Sequence, residues 1–328
     1  MFAAIISLCK AFESKVSGET AGVIYQILWT TTYFGSSVMH KLLKDVITIP
    51  QMVVTRGLFI FGVMHYLALT FKLPHYPSDR KEEMYRFIRS VAGNASFAMG
   101  SLLINFVPIS EISVLTMVGP NTLGICDYLF NGAPISVKEI ASAGVSFLGV
   151  FFILNPDMVN SLFGITTAVT PGYTDSQYVT GTLKVVLLGI YFIWMLFWAY
   201  SIVILKRVKS INVVTLNLLS GPTLVFSSGL LSIAQGYVSP INNYFAYVGI
   251  MVMGGVFAIT SIFTVTRSNQ IGKPALNGIV MNLHVVFSFL FEVFYLGEPI
   301  KLPSIIGAVM IILVTVYVNL SKLRSTKK

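Results

Sequence analysis

Cysteine, acid and charge are what this sequence has least of. Its 328 residues include two cysteines, Cys9 and Cys126, too few for a disulfide framework and without the CxxC spacing that zinc or redox sites use. Charged residues make up 11% of the chain, against about 25% in an average soluble domain, which excludes an ordinary soluble enzyme. No HExxH, GxSxG, P-loop or GxGxxG pattern occurs, so neither a nucleophile elbow nor a phosphate cradle is present. The chain is accordingly expected not to be an enzyme, with no catalytic residue, metal or cofactor. About eight apolar residues precede Lys10 with no basic residue before them, which reads as a short interfacial helix rather than a secretory signal. The sequons at Asn94 and Asn319 sit in apolar stretches and give no sign of a glycosylated face.

What is present in excess is hydrophobicity, at 55% of residues. A bilayer core about 30 Å thick takes roughly 20 apolar residues per helical span. Ten apolar segments fit this requirement, at about 20 to 39, 47 to 71, 88 to 107, 110 to 130, 137 to 154, 182 to 205, 211 to 233, 241 to 266, 274 to 296 and 302 to 320. They divide the chain into an N-terminal segment (1–19), a first five-span unit (20–154), a linker loop (155–181), a second five-span unit (182–320) and a basic tail (321–328).

The net charge of +9 arises from 22 basic and 13 acidic residues, and its placement follows the bias of translocated loops against positive charge. With the N-terminus cytoplasmic, 17 Lys and Arg fall on the cytoplasmic side, among them Arg86, Arg89, Arg207, Arg267 and Lys322. Four fall on the other side, and Arg56 alone lies inside a span. The excess is therefore read as orientation code, with both termini cytoplasmic and no nucleic-acid partner.

Residues 108–135 and 273–300 repeat at a constant offset of 165. Gly132, Pro134 and Ile135 match Gly297, Pro299 and Ile300, and the acids Asp127 and Glu292 coincide. A weaker echo sets Val53-Val54-Thr55 against Val213-Val214-Thr215. Because five spans is an odd number, two such units lie with opposite topology, the construction that secondary transporters use around a midplane site. The expected fold is an all-α integral membrane protein of ten transmembrane helices in two inverted five-helix repeats.

Ser110, Ser113, Pro120, Gly132, Gly144, Gly149 and Pro156, together with the LGEPI turn at Leu296 to Ile300 and Gly307, resemble the EamA-type halves of the drug/metabolite transporter superfamily. That superfamily includes the nucleotide-sugar and triose-phosphate carriers of solute carrier family 35. The resemblance implies ten helices around a central cavity and transport of a small organic metabolite. Ala133 departs from the Glu usual in the first turn, and span 9 lacks the Lys-Arg pair of the sugar-phosphate carriers.

Ionisable groups within spans are costly and mark candidate sites. Arg56, about nine residues into span 2, is a candidate anion ligand or gate counter-ion, with a structural ion pair as the competing explanation. Asp127 and Glu292 are candidate gate or proton-carrying carboxylates, or else caps of nearby helix ends. Helical stripes add Asn277, His284 and Ser288 in span 9, and Asn94 and Ser101 in span 3. Tyr191, Trp194 and Trp198 on one side of span 6, and Tyr25 with Trp29 in span 1, are a candidate stacking wall for a planar substrate or plain packing and interface anchoring. The expected partners are the lipid bilayer, a small-molecule substrate and protons, with the chain a monomer or homodimer. Alternatives are a nucleotide-sugar or sugar-phosphate antiporter of the same superfamily, a channel, and an acyltransferase-like membrane enzyme built on His40 and Asp45.

Overall fold

The computed structural model describes residues 11–132, 137–154, 179–205, 207–208, 210–235, 243–272, 274–297 and 302–325, and every regular element among them is helical. Within a bilayer a helix satisfies its own backbone groups, so apolar runs of this length adopt it. The first helices also carry start signals. α1 (Gly18–Leu43) opens at Ser17, whose hydroxyl accepts from the Thr20 N–H at 3.2 Å. α2 (Ile49–Thr70) opens on a Thr48–Gln51 capping box with Pro50 in the first turn. α3 (Arg80–Leu103) opens at Asp79, which accepts from the Lys81 N–H at 2.9 Å, with Glu82 and Glu83 favouring the positive end of the helix dipole.

α4 (Ile109–Asn131), α5 (Val137–Leu154) and α6 (Gly181–Leu205) follow as continuous helices. The later part of the chain is more broken. α7 (Val213–Asn217) is short and leads into α8 (Ser220–Gln235). α9 (Tyr244–Ile250) passes through a π-wound stretch, Met251–Ala258, into α10 (Ile259–Ile271). α11 (Pro274–Met281) and α12 (Leu283–Phe291) are separated at Asn282, and α12 ends in a second π-wound stretch, Glu292–Leu296. α13 (Leu302–Ser325) closes the chain.

Among the described residues, four stretches are long and apolar enough to cross a membrane: Ile49–Thr70, Gly181–Leu205, Tyr244–Ile271 and Leu276–Leu296. Shorter apolar helices accompany them at Ile140–Gly149, Val213–Gly229 and Leu302–Tyr317. Large apolar side chains such as Leu129, Phe226 and Phe294 point outward, exposed by 67, 71 and 82%. In water such a surface would aggregate, and in lipid it is solvated. These helices mark a multi-pass membrane protein.

α2 packs along α8, α5 along α13, α1 along α10, and α6 against both α3 and α4. Small residues set how close these pairs come, as expected where lipid removes the hydrophobic drive between helices. A Cβ on Gly221 would stand 2.5 Å from the Phe61 N and 2.7 Å from the Gly57 O, and one on Gly149 would stand 2.9 Å from the Gly307 O. Beside two small clusters around Leu205 and Ala199, two large apolar cores result among the described residues. One gathers Trp29, Leu103, Ile112, Tyr191, Val285 and Ile311, the other Met52, Ile60, Leu218, Leu224, Met253 and Ile259.

Candidate substrate cavity

A cavity of about 100 Å³ borders both cores, with Trp29 and Met195 from the first and Leu224 from the second in its walls. Two arginines line it. Arg56 comes from α2 and is 4% exposed. Its Nη1 donates to the Ser36 Oγ of α1 at 2.9 Å, and its guanidinium lies 4.1 Å from the centre of the Phe97 ring of α3. Arg89 comes from α3 and is 8% exposed. It donates to the Asn217 Oδ1 at 2.8 Å and to the Thr266 Oγ1 at 2.7 Å, which fixes it against α7 and α10.

Among the described residues, neither guanidinium has a carboxylate within ion-pairing distance. The ion pairs lie elsewhere, at Arg86–Glu83, Lys184–Glu111 and Arg267–Glu13. A guanidinium offers five N–H donors, and Arg56 spends one on Ser36. Burying an uncompensated charge costs several kcal/mol, and Ser36, Asn217 and Thr266 return only neutral hydrogen bonds. Both arginines border the cavity, Arg89 with its guanidinium tied to Asn217 and Thr266 outside the cavity lining.

The remaining wall is aromatic and hydroxylic. Trp29 stacks on Tyr33, with ring centres 5.2 Å apart, and lies 6.4 Å from Trp198 at an angle of 19°. Ser90, Ser201, Ser220 and Ser261 supply hydroxyls. Trp198 is held close to Gly119, where a Cβ would stand 2.7 Å from its ring. Asn94 lines the cavity and donates its amide N–H to the Ser220 O at 2.9 Å, joining α3 to α8.

A smaller cavity of about 10 Å³ shares Tyr33 and Phe97 with the large one, and that volume is about one water. His284 lines it, 2% exposed, with its ring 5.0 Å from Tyr33 and 6.1 Å from Phe34. Neither ring nitrogen has a hydrogen-bond partner among the described residues. Ser101 lines the same space and donates to the Phe97 O at 2.9 Å.

The structure thus brings Arg56 and Asn94 together on one cavity, and His284 and Ser101 together on its neighbour. The other candidates have different positions. The Glu292 Oε1 accepts from the Ser110 N–H at 2.8 Å, which places a carboxylate on the first turn of α4, the position the helix dipole favours. The Ser288 hydroxyl pairs with that of Ser113 at 2.6 Å, a second tie between α12 and α4. Asn277 donates to the Ser268 O at 3.2 Å, joining α11 to the end of α10. Asp127 lies on α4 with its side chain outside the described residues, as do Glu298 and the linker at 155–178.

Arg89 is the cavity residue that the sequence reading did not single out. The charge count places it among the cytoplasmic orientation residues, yet it is buried in the cavity wall. A helical stripe was the signal: Arg89, Gly93, Ser96 and Gly100 follow one another at spacings of four, three and four, the face that carries the cavity.

No family profile matches the chain, and no curated protein does. Solved structures do: 27 chains match. One, described only as the crystal structure of a protein, aligns with a TM-score of 0.65 at 11% identity, over 93% of this chain and 99% of its own. At that identity the likeness concerns the fold alone.

Proposed function

We propose that this chain is a secondary transporter carrying a small organic anion across the membrane by alternating access. The observation that carries this reading is the pair of buried arginines without carboxylate partners on one aromatic cavity. An anion between them recovers the Coulomb energy that their burial forfeits.

The packing supports two inverted halves of five spans. Let α1 to α6 be spans 1 to 6, α7 with α8 span 7, α9 with α10 span 8, α11 with α12 span 9, and α13 span 10. Exchanging each span with the one five places on leaves the contacts of 2 with 7 and 5 with 10 unchanged. It also turns 3–6 into 8–1, 4–6 into 9–1, 3–7 into 8–2 and 4–5 into 9–10, and every one of these is an observed interface. Gly132 and Gly297, matched by the repeat, share a left-handed backbone at φ 65° and 67°. With Arg89 moved into the cavity, the charge count stands at sixteen to four and still favours cytoplasmic termini.

The size of the cavity favours a compact anion over a nucleotide sugar, since drug-sized ligands occupy sites of about 300 to 1,000 Å³. The acyltransferase alternative has no geometric support. His40 turns its Nδ1 to the Ser36 O of its own helix at 2.7 Å, while Asp45 is exposed beyond the end of α1.

Saturable counterflow of organic anions in proteoliposomes, with no unitary current in planar bilayers, is the expected behaviour; unitary currents without counterflow would overturn the carrier reading. Protons are the proposed coupling ion, with His284 as their carrier, since Glu292 is engaged as a cap. Tyr33 and Phe34 on α1 face His284 directly; Arg56 and His40 both lie against the Phe97 ring that borders the same small cavity, and Glu292 is two turns further along the chain. Uptake by the wild type is then expected to vary with pH, and His284→Gln to flatten that profile. A profile unchanged in His284→Gln removes His284 from the coupling.

A further inference from the structure

We infer that the cavity selects an anion charged at both ends of a short apolar stem, with a four-carbon dicarboxylate as the matching length; this rests on reading the cavity as the binding site of an anion carrier. The two arginines do not sit side by side. Arg89 and Phe97 are eight residues apart on α3, which is about 12 Å along the axis at about 1.5 Å per residue. Both side chains lean toward the same helix end, so the offset persists beyond the backbone. Arg56 lies on the Phe97 ring, 4.1 Å from its centre, while Arg89 is anchored at the other end by Asn217 and Thr266. The axial offset of these two positions on α3, about 12 Å, is the proposed spacing of the two positive poles.

Between the poles the wall changes character. Trp29, Tyr33 and Trp198 present ring faces that suit carbon rather than charge. In an extended four-carbon diacid the carboxyl carbons lie about 4 Å apart, from carbon–carbon bonds of about 1.5 Å. An arginine–carboxylate contact adds about 4 Å at each end, for a total of about 12 Å. A monoacid would neutralise one pole and leave the other buried and uncompensated, whereas a diacid neutralises both.

The test is equilibrium binding of radiolabelled succinate to the full chain in nanodiscs, with unlabelled butyrate, glutarate, adipate and inorganic phosphate as competitors. Succinate is expected to bind saturably, with glutarate competing within a few-fold and butyrate, adipate and phosphate at least tenfold more weakly. Arg56→Gln and Arg89→Gln are each expected to lower succinate affinity at least tenfold, to the level of butyrate, with helical content unchanged by circular dichroism. Arg89→Lys is expected to recover part of the loss. If butyrate or phosphate competes as well as succinate, or if Arg89→Gln binds succinate like the wild type while Arg56→Gln does not, the two-ended selection is wrong and the anion carrier stands. If none of these anions binds and a neutral amino acid does, both readings fall.

Discussion

Arg56 and Arg89 differ in how they could be read from sequence and agree in what they do in space. Arg56 stands alone within an apolar run, so its cost in lipid singles it out. Arg89 follows Arg80, Lys81 and Arg86 at the start of α3, and a count of charges by loop absorbs it into the orientation bias. What the count omits is direction: Arg89 continues the small-residue face of α3 into the cavity, while Arg86 turns to the His75 O, the Thr215 O and Glu83. The aromatic wall was half legible, because Trp29 and Trp198 could be named as candidates but their stacking depends on where Gly119 lets Trp198 lie. Gly119→Ala tests that dependence. The added methyl would stand 2.7 Å from the Trp198 ring and forces it toward the cavity, so KM for the transported anion is expected to rise severalfold with little change in protein yield. An unchanged KM in a proteoliposome uptake assay would mean that Trp198 does not border the substrate.

At the scale of elements, small residues and one carboxylate hold the helices in register. α2 and α8 touch backbone to backbone at Gly57 and Gly221, so Gly221→Val is expected to destabilise the fold by about 1 to 3 kcal/mol through overpacking. A thermal melt of the purified protein that matched the wild type would contradict this contact. Glu292 is expected as a gate or proton carrier or as a helix cap, and in the structure its Oε1 accepts from the Ser110 N–H at 2.8 Å. Its charge-assisted bond to the Ser110 N–H is worth about 1.5 to 3 kcal/mol, and Glu292→Ala is expected to lower the melting temperature accordingly. The sequence pattern could pair Glu292 with Asp127 but could not reveal that the partner of Glu292 is a backbone amide 182 residues away. Most helix boundaries were legible because apolar runs and caps are local signals, but α3 begins at Arg80, about eight residues before its apolar run, because Asp79 caps a charged first turn that hydropathy reads as loop. The break at Asn282 and the two π-wound stretches were not, because they arise where packing across helices overrides the run of apolar residues.

At the scale of the molecule, the proposed alternating access rests on a pseudo-symmetric pairing of spans around a cavity, a construction that secondary transporters use, and the proposed orientation rests on the one-sided distribution of basic residues. Thr182→Cys, placed beside the linker in a chain with Cys9 and Cys126 replaced by serine, is expected to react with an impermeant maleimide from outside intact cells. Lys138→Cys is expected to react only after permeabilisation, and the reverse pattern would invert the topology. Both sites are exposed at helix ends, so access depends on the side of the membrane rather than on burial. The central claim is that two buried, carboxylate-free arginines hold an anionic substrate, and one measurement addresses it most directly: proteoliposome counterflow of organic anions against neutral amino acids, run side by side for the wild type, Arg56→Gln and Arg89→Gln. The account predicts exchange of anions by the wild type, at least a tenfold loss in each variant, and no exchange of neutral solutes by any of them; neutral solutes exchanged as fast as anions, with both variants fully active, would contradict it.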